Sequence, residues 1–216
     1  MRYRHHWEYR VFGNLRKKIK RHLHNYQPVT EIRSALCDEY LWVPGCTANI
    51  KLRQYKNQDK VKFKYLADTT RDGFELWAED SALKFGFPLS TDAVGRLSSQ
   101  LGLRPDLIQD LNCHDAASIR AALCDLDNRI KVVTVRKKRK KINISHNGHL
   151  LSIEMTRILK PIPIQTMCVE GPDFKRSQPG KSLAGLRQFL NEVNLPRSLE
   201  VMGYLQFIGR HATAHA

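Results

Sequence analysis

The 216-residue chain has no apolar run long enough to span a bilayer, and its first residues, MRYRHHWEYR, contain no hydrophobic signal segment. Neither a membrane partner nor an export route is therefore expected. Cysteine is sparse: Cys37, Cys46, Cys113, Cys124 and Cys168 are scattered, odd in number and never spaced as CxxC. That argues for reduced thiols in a cytoplasmic setting rather than a disulfide framework or a zinc site. No internal repeat is evident, and no helix-turn-helix, zinc-finger or RNP-like signature is present. His5-His6 lack spaced partners and read as solvated. Acid is also scarce, with 21 Asp+Glu against 36 Lys+Arg and a formal net charge of +15. Such an excess implies a polyanionic partner, and composition alone does not choose among nucleic acid, nucleotide, polyphosphate and an acidic surface.

What is present is a series of alternating segments. Asn49–Leu66, NIKLRQYKNQDKVKFKYL, reads as two strands around a polar turn at Asn57-Gln58-Asp59. Ile50 and Leu52 alternate with Lys51 and Arg53, and Val61, Phe63 and Tyr65 alternate with Lys62 and Lys64. Side chains in a strand point to opposite faces with period two, so each arm has an apolar face and a cationic face. The pattern recurs with acids mixed in. WEYRVF sets Glu8 and Arg10 opposite Trp7, Tyr9 and Val11; FELWAE sets Glu75 and Trp77 opposite Phe74 and Leu76. IKVVTVRKKRKKI runs into six consecutive cations, Arg136–Lys141, and places Lys137 and Arg139 on one side. After a turn at Asn147-Gly148, LLSIEMTRIL carries Glu154 and Thr156 opposite Ile153 and Met155, and IQTMCVEG carries Cys168 and Glu170 opposite Met167 and Val169. A strand is also expected at Tyr40–Val43, ended by Pro44-Gly45.

Helices are expected where apolar residues recur at three and four. Ser90–Leu126 holds two, with Ser90 or Thr91 and Ser118 available as N-caps and His114-Asp115 in the link as a cap and its neighbour. Lys181–Val193 is a third, and Asn14–Asn25 is either a short amphipathic helix or a basic loop. Met202–Ile208 is a last short apolar segment, and Arg210–Ala216 is expected to be a disordered tail.

At least six strands thus share one ionic and one apolar face. An open antiparallel sheet would leave the ionic face wet. A closed one would turn it onto a lumen and remove the sheet edges. Enclosed cations must be offset by carboxylates or bound anions. Lys and Arg interleaved with Glu suit a triphosphate held with a divalent cation. A third alternative uses Arg136–Lys141 and the Arg16–Arg21 cluster as an external surface for nucleic acid. Trp7, Trp42 and Trp77 read as core rather than as a stacking platform.

The ordered motifs E-x-R, K-L-R, K-x-K, E-x-W, V-x-K-x-R, E-x-T and V-E-G before a helix resemble the CYTH, or triphosphate tunnel metalloenzyme, superfamily over Trp7–Ile208. The resemblance implies an α+β, mostly antiparallel fold: a closed eight-stranded tunnel with peripheral helices. It implies one domain over 1–216, with a core at about 9–209 and a helical insertion at about 90–126. It further implies binding, and metal-dependent hydrolysis, of a triphosphate, polyphosphate or nucleotide, with an RNA 5′ end as another candidate ligand. Phosphate contacts would be Arg10, Lys51, Arg53, Lys62, Lys64, Lys137 and Arg139; metal ligands for Mg²⁺ or Mn²⁺ would be Glu8, Glu75, Glu154 and Glu170. Glu154, Arg53 and Lys137 would act in the chemical step. Two expected carboxylates are replaced, one by His6 and one by Cys168, so a two-ion site is under-supplied with oxygen ligands. The alternative is a non-catalytic binding module with a degenerate metal site. The expected location is the cytoplasm, with Arg136–Lys141 also shaped like a nuclear-localisation run.

Overall fold

The computed structural model describes residues 4–15, 17–55, 58–79, 84–109, 111, 114–174 and 179–213. Ten strands and six helices follow one another along the chain as β1 (Arg4–Phe12), α1 (Lys17–His24), β2 (Thr30–Trp42), β3 (Ala48–Tyr55), β4 (Gln58–Thr69), β5 (Phe74–Glu79), β6 (Lys84–Gly86), α2 (Thr91–Leu101), α3 (Pro105–Gln109), α4 (Ala116–Leu126), β7 (Lys131–His146), β8 (His149–Lys160), β9 (Ile164–Glu170), α5 (Pro179–Val193), β10 (Glu200–Val201) and α6 (Tyr204–Thr213).

The strands form one sheet in the order β10-β1-β5-β4-β3-β2-β7-β8-β9, and β9 also pairs with β1. That last pairing closes eight strands into an antiparallel barrel, with β10 beside β1 and β6 beside β4 as additions. Closure removes the free edges that an open sheet would present to other chains. The β7–β8 hairpin turns at Asn147-Gly148, where φ is 48° and 78°. Two successive positive φ values define a type I′ turn, which Asn-Gly reaches at little cost.

Contacts divide the chain into two compact units. The first comprises Met1–Leu36, Leu66–Ala78 and Arg136–Gly203. Its core joins Trp7 and Val11 of β1, Ile142 and Ile144 of β7, Leu151 and Ile153 of β8 and Met167 and Val169 of β9 to the helices. Ile19 and Leu23, four residues apart, bring α1 onto this face, with Leu15 ahead of the helix in the same core, and Leu186, Phe189, Leu190 and Val193 bring α5. Removing such an apolar face from water stabilises by about 25 cal/mol per Å².

The second unit comprises Cys37–Tyr65, Glu79–Val135 and Tyr204–Ala216. Ile50, Leu52, Val61 and Phe63 are fully buried there, as the alternation in β3 and β4 requires. Ser90 caps α2 by accepting a hydrogen bond from the Ala93 N–H. In α4 the cap is Asp115, with Ser118 as the reciprocal partner of a capping box three residues on.

Several expectations change. The strand expected at Tyr40–Val43 begins at Thr30, ten residues earlier, and its outer half is exposed, so no apolar alternation marked it. Gln58 and Asp59, expected in a turn, pair with Tyr55 and Gln54 inside the β3–β4 ladder, and Asn57 lies outside the described residues. The N-cap of α4 is Asp115 rather than Ser118, because Ser118 lies three residues inside the helix and its N–H is the group that donates to Asp115 Oδ1. Asn14–Asn25 resolves as the helix α1 rather than a loop. Arg210–Thr213, expected in a disordered tail, continues α6: Ala212 is buried, His211 packs its ring on Phe207, and the Thr213 hydroxyl donates to the Gly209 carbonyl. Residues 214–216 lie outside the described residues.

Candidate functional site

The apolar face of the first unit is spoken for by α1 and α5, and the other face of the same four strands is ionic. In an antiparallel pair, residues directly opposite share a face, so the register stacks side chains in rows across β7, β8, β9 and β1. One row runs Lys141, Glu154, Cys168, Arg10. On one side of it lies Asn143, Ser152, Glu170, Glu8; on the other, Arg139, Thr156, Thr166, Phe12. Lys137 opens the next row, opposite Ile158.

Glu154 is the hub. Arg10 Nη1 lies 3.5 Å from its Oε1 and Arg139 Nη1 3.4 Å from its Oε2. The Thr156 hydroxyl donates to Oε1 at 3.2 Å. Burial alone would raise its pKa, but the charges of Arg10, Lys137 and Arg139 outweigh burial and hold it at about 2. Arg139 is fixed from behind, its Nε donating to Ser34 Oγ at 3.1 Å. Lys141 Nζ meets Glu170 Oε2 at 2.7 Å; burial pulls the lysine pKa down, and Glu170 more than reverses that.

Beside this hub, Glu8, Cys168 and Glu170 bring one donor atom each within 4.8 Å of one another. The Cys168 thiol donates to Glu8 Oε2 at 3.5 Å, and His6 Nε2 lies 3.0 Å from Glu8 Oε1. On its far side His6 Nδ1 faces Asp173 Oδ1 at 3.5 Å. His6 is 7% exposed, so the expectation of a solvated histidine fails: alternation in β1 puts it on the same face as Glu8 and Arg10. Cys168 is fully buried, and burial drives its thiol pKa well up.

The second unit carries its own paired cations. Arg53 makes a two-pronged contact with Asp38, from Nε at 2.5 Å and Nη2 at 2.8 Å, and Lys51 Nζ lies 3.8 Å from the same carboxylate. Lys62 pairs with Glu79, and burial lowers the lysine pKa despite that partner. Lys64 is half-buried and opposes Asn49.

The first unit therefore brings together Glu8, Arg10, Lys137, Arg139, Glu154 and Glu170 of the candidates read from the sequence. Glu75, also in this unit, accepts from Trp77 Nε1 at 3.0 Å and is not part of the three-donor cluster. Lys51, Arg53, Lys62 and Lys64 lie in the other unit. Lys141, Thr156, Asp38 and Glu79 were missed. Parity within the basic run would have found Lys141, since it shares a face with Lys137 and Arg139.

No family model matches the chain, and no curated protein does. Among solved structures, a conserved hypothetical protein from Pyrococcus furiosus is similar at 16% identity and a TM-score of 0.51, covering 93% of this chain and 99% of that one. The chain shares that protein's fold. A protein from Pyrococcus horikoshii OT3 matches at 15% identity and a TM-score of 0.49, over 94% of this chain and 99% of its own. A Hippeastrum protein described as having a dominant triphosphatase activity matches at 12% and 0.47, over 94% and 93%. Among the described residues no helix is long and apolar enough to cross a membrane.

Proposed function

We propose that the ionic face of β7, β8, β9 and β1 binds a triphosphate-containing or polyphosphate ligand and, with a divalent ion, hydrolyses its phosphoanhydride bond, as in the CYTH superfamily that the motifs resemble. The observation that carries this reading is the row register, which aims Arg10, Lys137, Arg139 and Lys141 and the carboxylates of Glu8, Glu154 and Glu170 to one face. Arg10, Lys137 and Arg139 would meet phosphate oxygens, because guanidinium forks and ammonium groups neutralise them at hydrogen-bond distance. Lys51, Arg53, Lys62 and Lys64 form a further set of proposed phosphate contacts within the second unit.

The donor set fits one divalent ion: Glu8 and Glu170 each offer an oxygen, and the Cys168 sulfur lies within 4.8 Å of both. When bound, such an ion supplies a Lewis acid for phosphate oxygens and screens their charge. Its arrival would also take up carboxylates that now face Arg10 and Lys141, turning those cations toward the ligand. A carboxylate held at a pKa of about 2 is too weak a base to take a proton efficiently near neutrality. Glu154 therefore positions Arg10 and Arg139 and orients water. In hydrolysis of tripolyphosphate, water would attack the terminal phosphorus, the P–O–P bond would break, and orthophosphate and pyrophosphate would form, the water's proton passing to phosphate oxygen or solvent while Arg10, Lys137 and Arg139 balance the charge.

One observation favours a second reading, a binding module without turnover: Glu8, Glu154 and Glu170 each already have a cation or imidazole partner. Phosphate release from tripolyphosphate and ATP, with and without divalent ions, separates the two. Ion-dependent release that disappears in Glu170→Ala supports hydrolysis. Binding without release supports the module, and absence of both overturns the proposal.

A further inference from the structure

The metal donors are chemically mixed, and the mixture bears on which ion they select. Glu8 comes from β1, and Cys168 and Glu170 from the neighbouring β9. Glu8 is 4% exposed and Cys168 fully buried. The Glu8 Oε2 to Cys168 Sγ separation is 3.5 Å. A tetrahedral ion with a metal–sulfur bond of about 2.3 Å and a metal–oxygen bond of about 2.1 Å spaces its sulfur and oxygen ligands by about 3.6 Å. The pair is thus already set at the spacing a small tetrahedral ion imposes. An octahedral magnesium ion takes oxygen ligands at about 2.0–2.1 Å and gains little from sulfur.

The surroundings preserve this arrangement. His6 Nε2 sits 3.0 Å from Glu8 Oε1, which turns the second oxygen of that carboxylate toward the sulfur. Lys141 holds Glu170 through Oε2 and leaves the other oxygen of that group for an ion. An imidazole fixing the orientation of a ligating carboxylate is the kind of outer support that metal ligands commonly have.

We infer that Glu8, Cys168 and Glu170 form a site for a single thiophilic divalent ion of the zinc or cobalt kind, held in preference to magnesium, with His6 as a positioning residue for Glu8. This rests on the reading that the ionic face takes a divalent ion, and it replaces the hard ions expected from the family resemblance. Binding is balanced as an exchange: the ion forms a bond to sulfur, the S–H bond breaks, and its proton passes to solvent. The remaining coordination position would be open to water or to a phosphate oxygen.

Cobalt(II) is the probe, because a cobalt–thiolate bond gives a charge-transfer band in the near ultraviolet that oxygen ligands do not. Metal-stripped full-length protein titrated with cobalt(II) is expected to develop this band at one equivalent. One equivalent of zinc should remove it, and about a hundredfold excess of magnesium should not. Cys168→Ser should abolish the band, and Cys168→Asp should abolish it while strengthening magnesium binding at least tenfold. His6→Ala should weaken cobalt binding by about 10–100-fold without removing the band. No band in the wild-type protein, a band that survives in Cys168→Ser, or displacement of cobalt by equimolar magnesium would each overturn the inference. If Cys168→Ser does not fold, the zinc-against-magnesium competition in the wild-type protein decides alone. Tripolyphosphate titrated into metal-free protein keeps the two proposals apart, since phosphate binding there persists even when the thiophilic site fails.

Discussion

Replacing Glu154 by Gln should destabilise the protein by about 3 kcal/mol at neutral pH, and the loss should fade in acid. The magnitude follows from the carboxyl pKa, held at about 2 against an ordinary 4.5. Each unit of displacement is worth about 1.4 kcal/mol, so this carboxylate contributes about 3 kcal/mol when ionised. The sign is that of a depressed acid: its contribution is fully present above pH 4.5 and is lost as pH falls through about 2. Glu154→Gln keeps the shape and an acceptor but withdraws the charge that faces Arg10, Lys137 and Arg139, and removing one member of a buried ionic group commonly costs about 3–5 kcal/mol. Urea unfolding of both proteins at several values between pH 7 and pH 2.5 would give the difference in unfolding free energy. It should be near 3 kcal/mol at pH 7 and shrink steadily below pH 4.5. A difference constant across this range, or a variant as stable as the parent at pH 7, would refute the placement of Glu154 among those cations.

Asp38→Ala should cost about 2–3 kcal/mol by thermal or urea unfolding, below the fully buried range because Arg53 and Lys51 keep some contact with water; Asp38→Asn should cost less, because it retains an acceptor for Arg53. Gly171→Ala should lower stability by about 1–3 kcal/mol, read by calorimetry, since an added Cβ would lie 2.5 Å from Ser182 Oγ and 3.2 Å from Leu186 Cδ1 on α5. Phosphate release, where it occurs, should fall in Arg139→Met by at least about tenfold at fixed substrate, because that guanidinium loses both its phosphate role and its hold on Glu154.

The alternation of Glu8/Arg10, Lys137/Arg139 and Glu154/Thr156 was legible because period two is a local property of the chain. It predicted which residues share a face and, with the family resemblance, the closed barrel. What stayed hidden was pairing between distant segments. Nothing local says that Cys168 stands opposite both Arg10 and Glu154, because register is fixed by the whole sheet. Asp38 escaped for a related reason: the exposed first half of β2 has no apolar alternation to announce a strand, so its buried carboxylate had no face to be assigned to. His6 was read as solvated because a histidine pair was judged without the strand that carries it. α6 ran past its expected end because Ala212 is buried and His211 packs on Phe207 one turn back, contacts that the polar composition of the tail did not announce.

The ionic face of β7, β8, β9 and β1 is proposed to receive a phosphate chain. Calorimetric titration of tripolyphosphate into metal-free protein, repeated with an Arg10→Met, Arg139→Met double variant, tests it most directly. Saturable one-to-one binding that weakens at least about a hundredfold in the double variant, from two charge-assisted contacts at about 1.5–3 kcal/mol each, is the predicted result. Absence of heat in the parent protein, or equal affinity in a folded double variant, would contradict it.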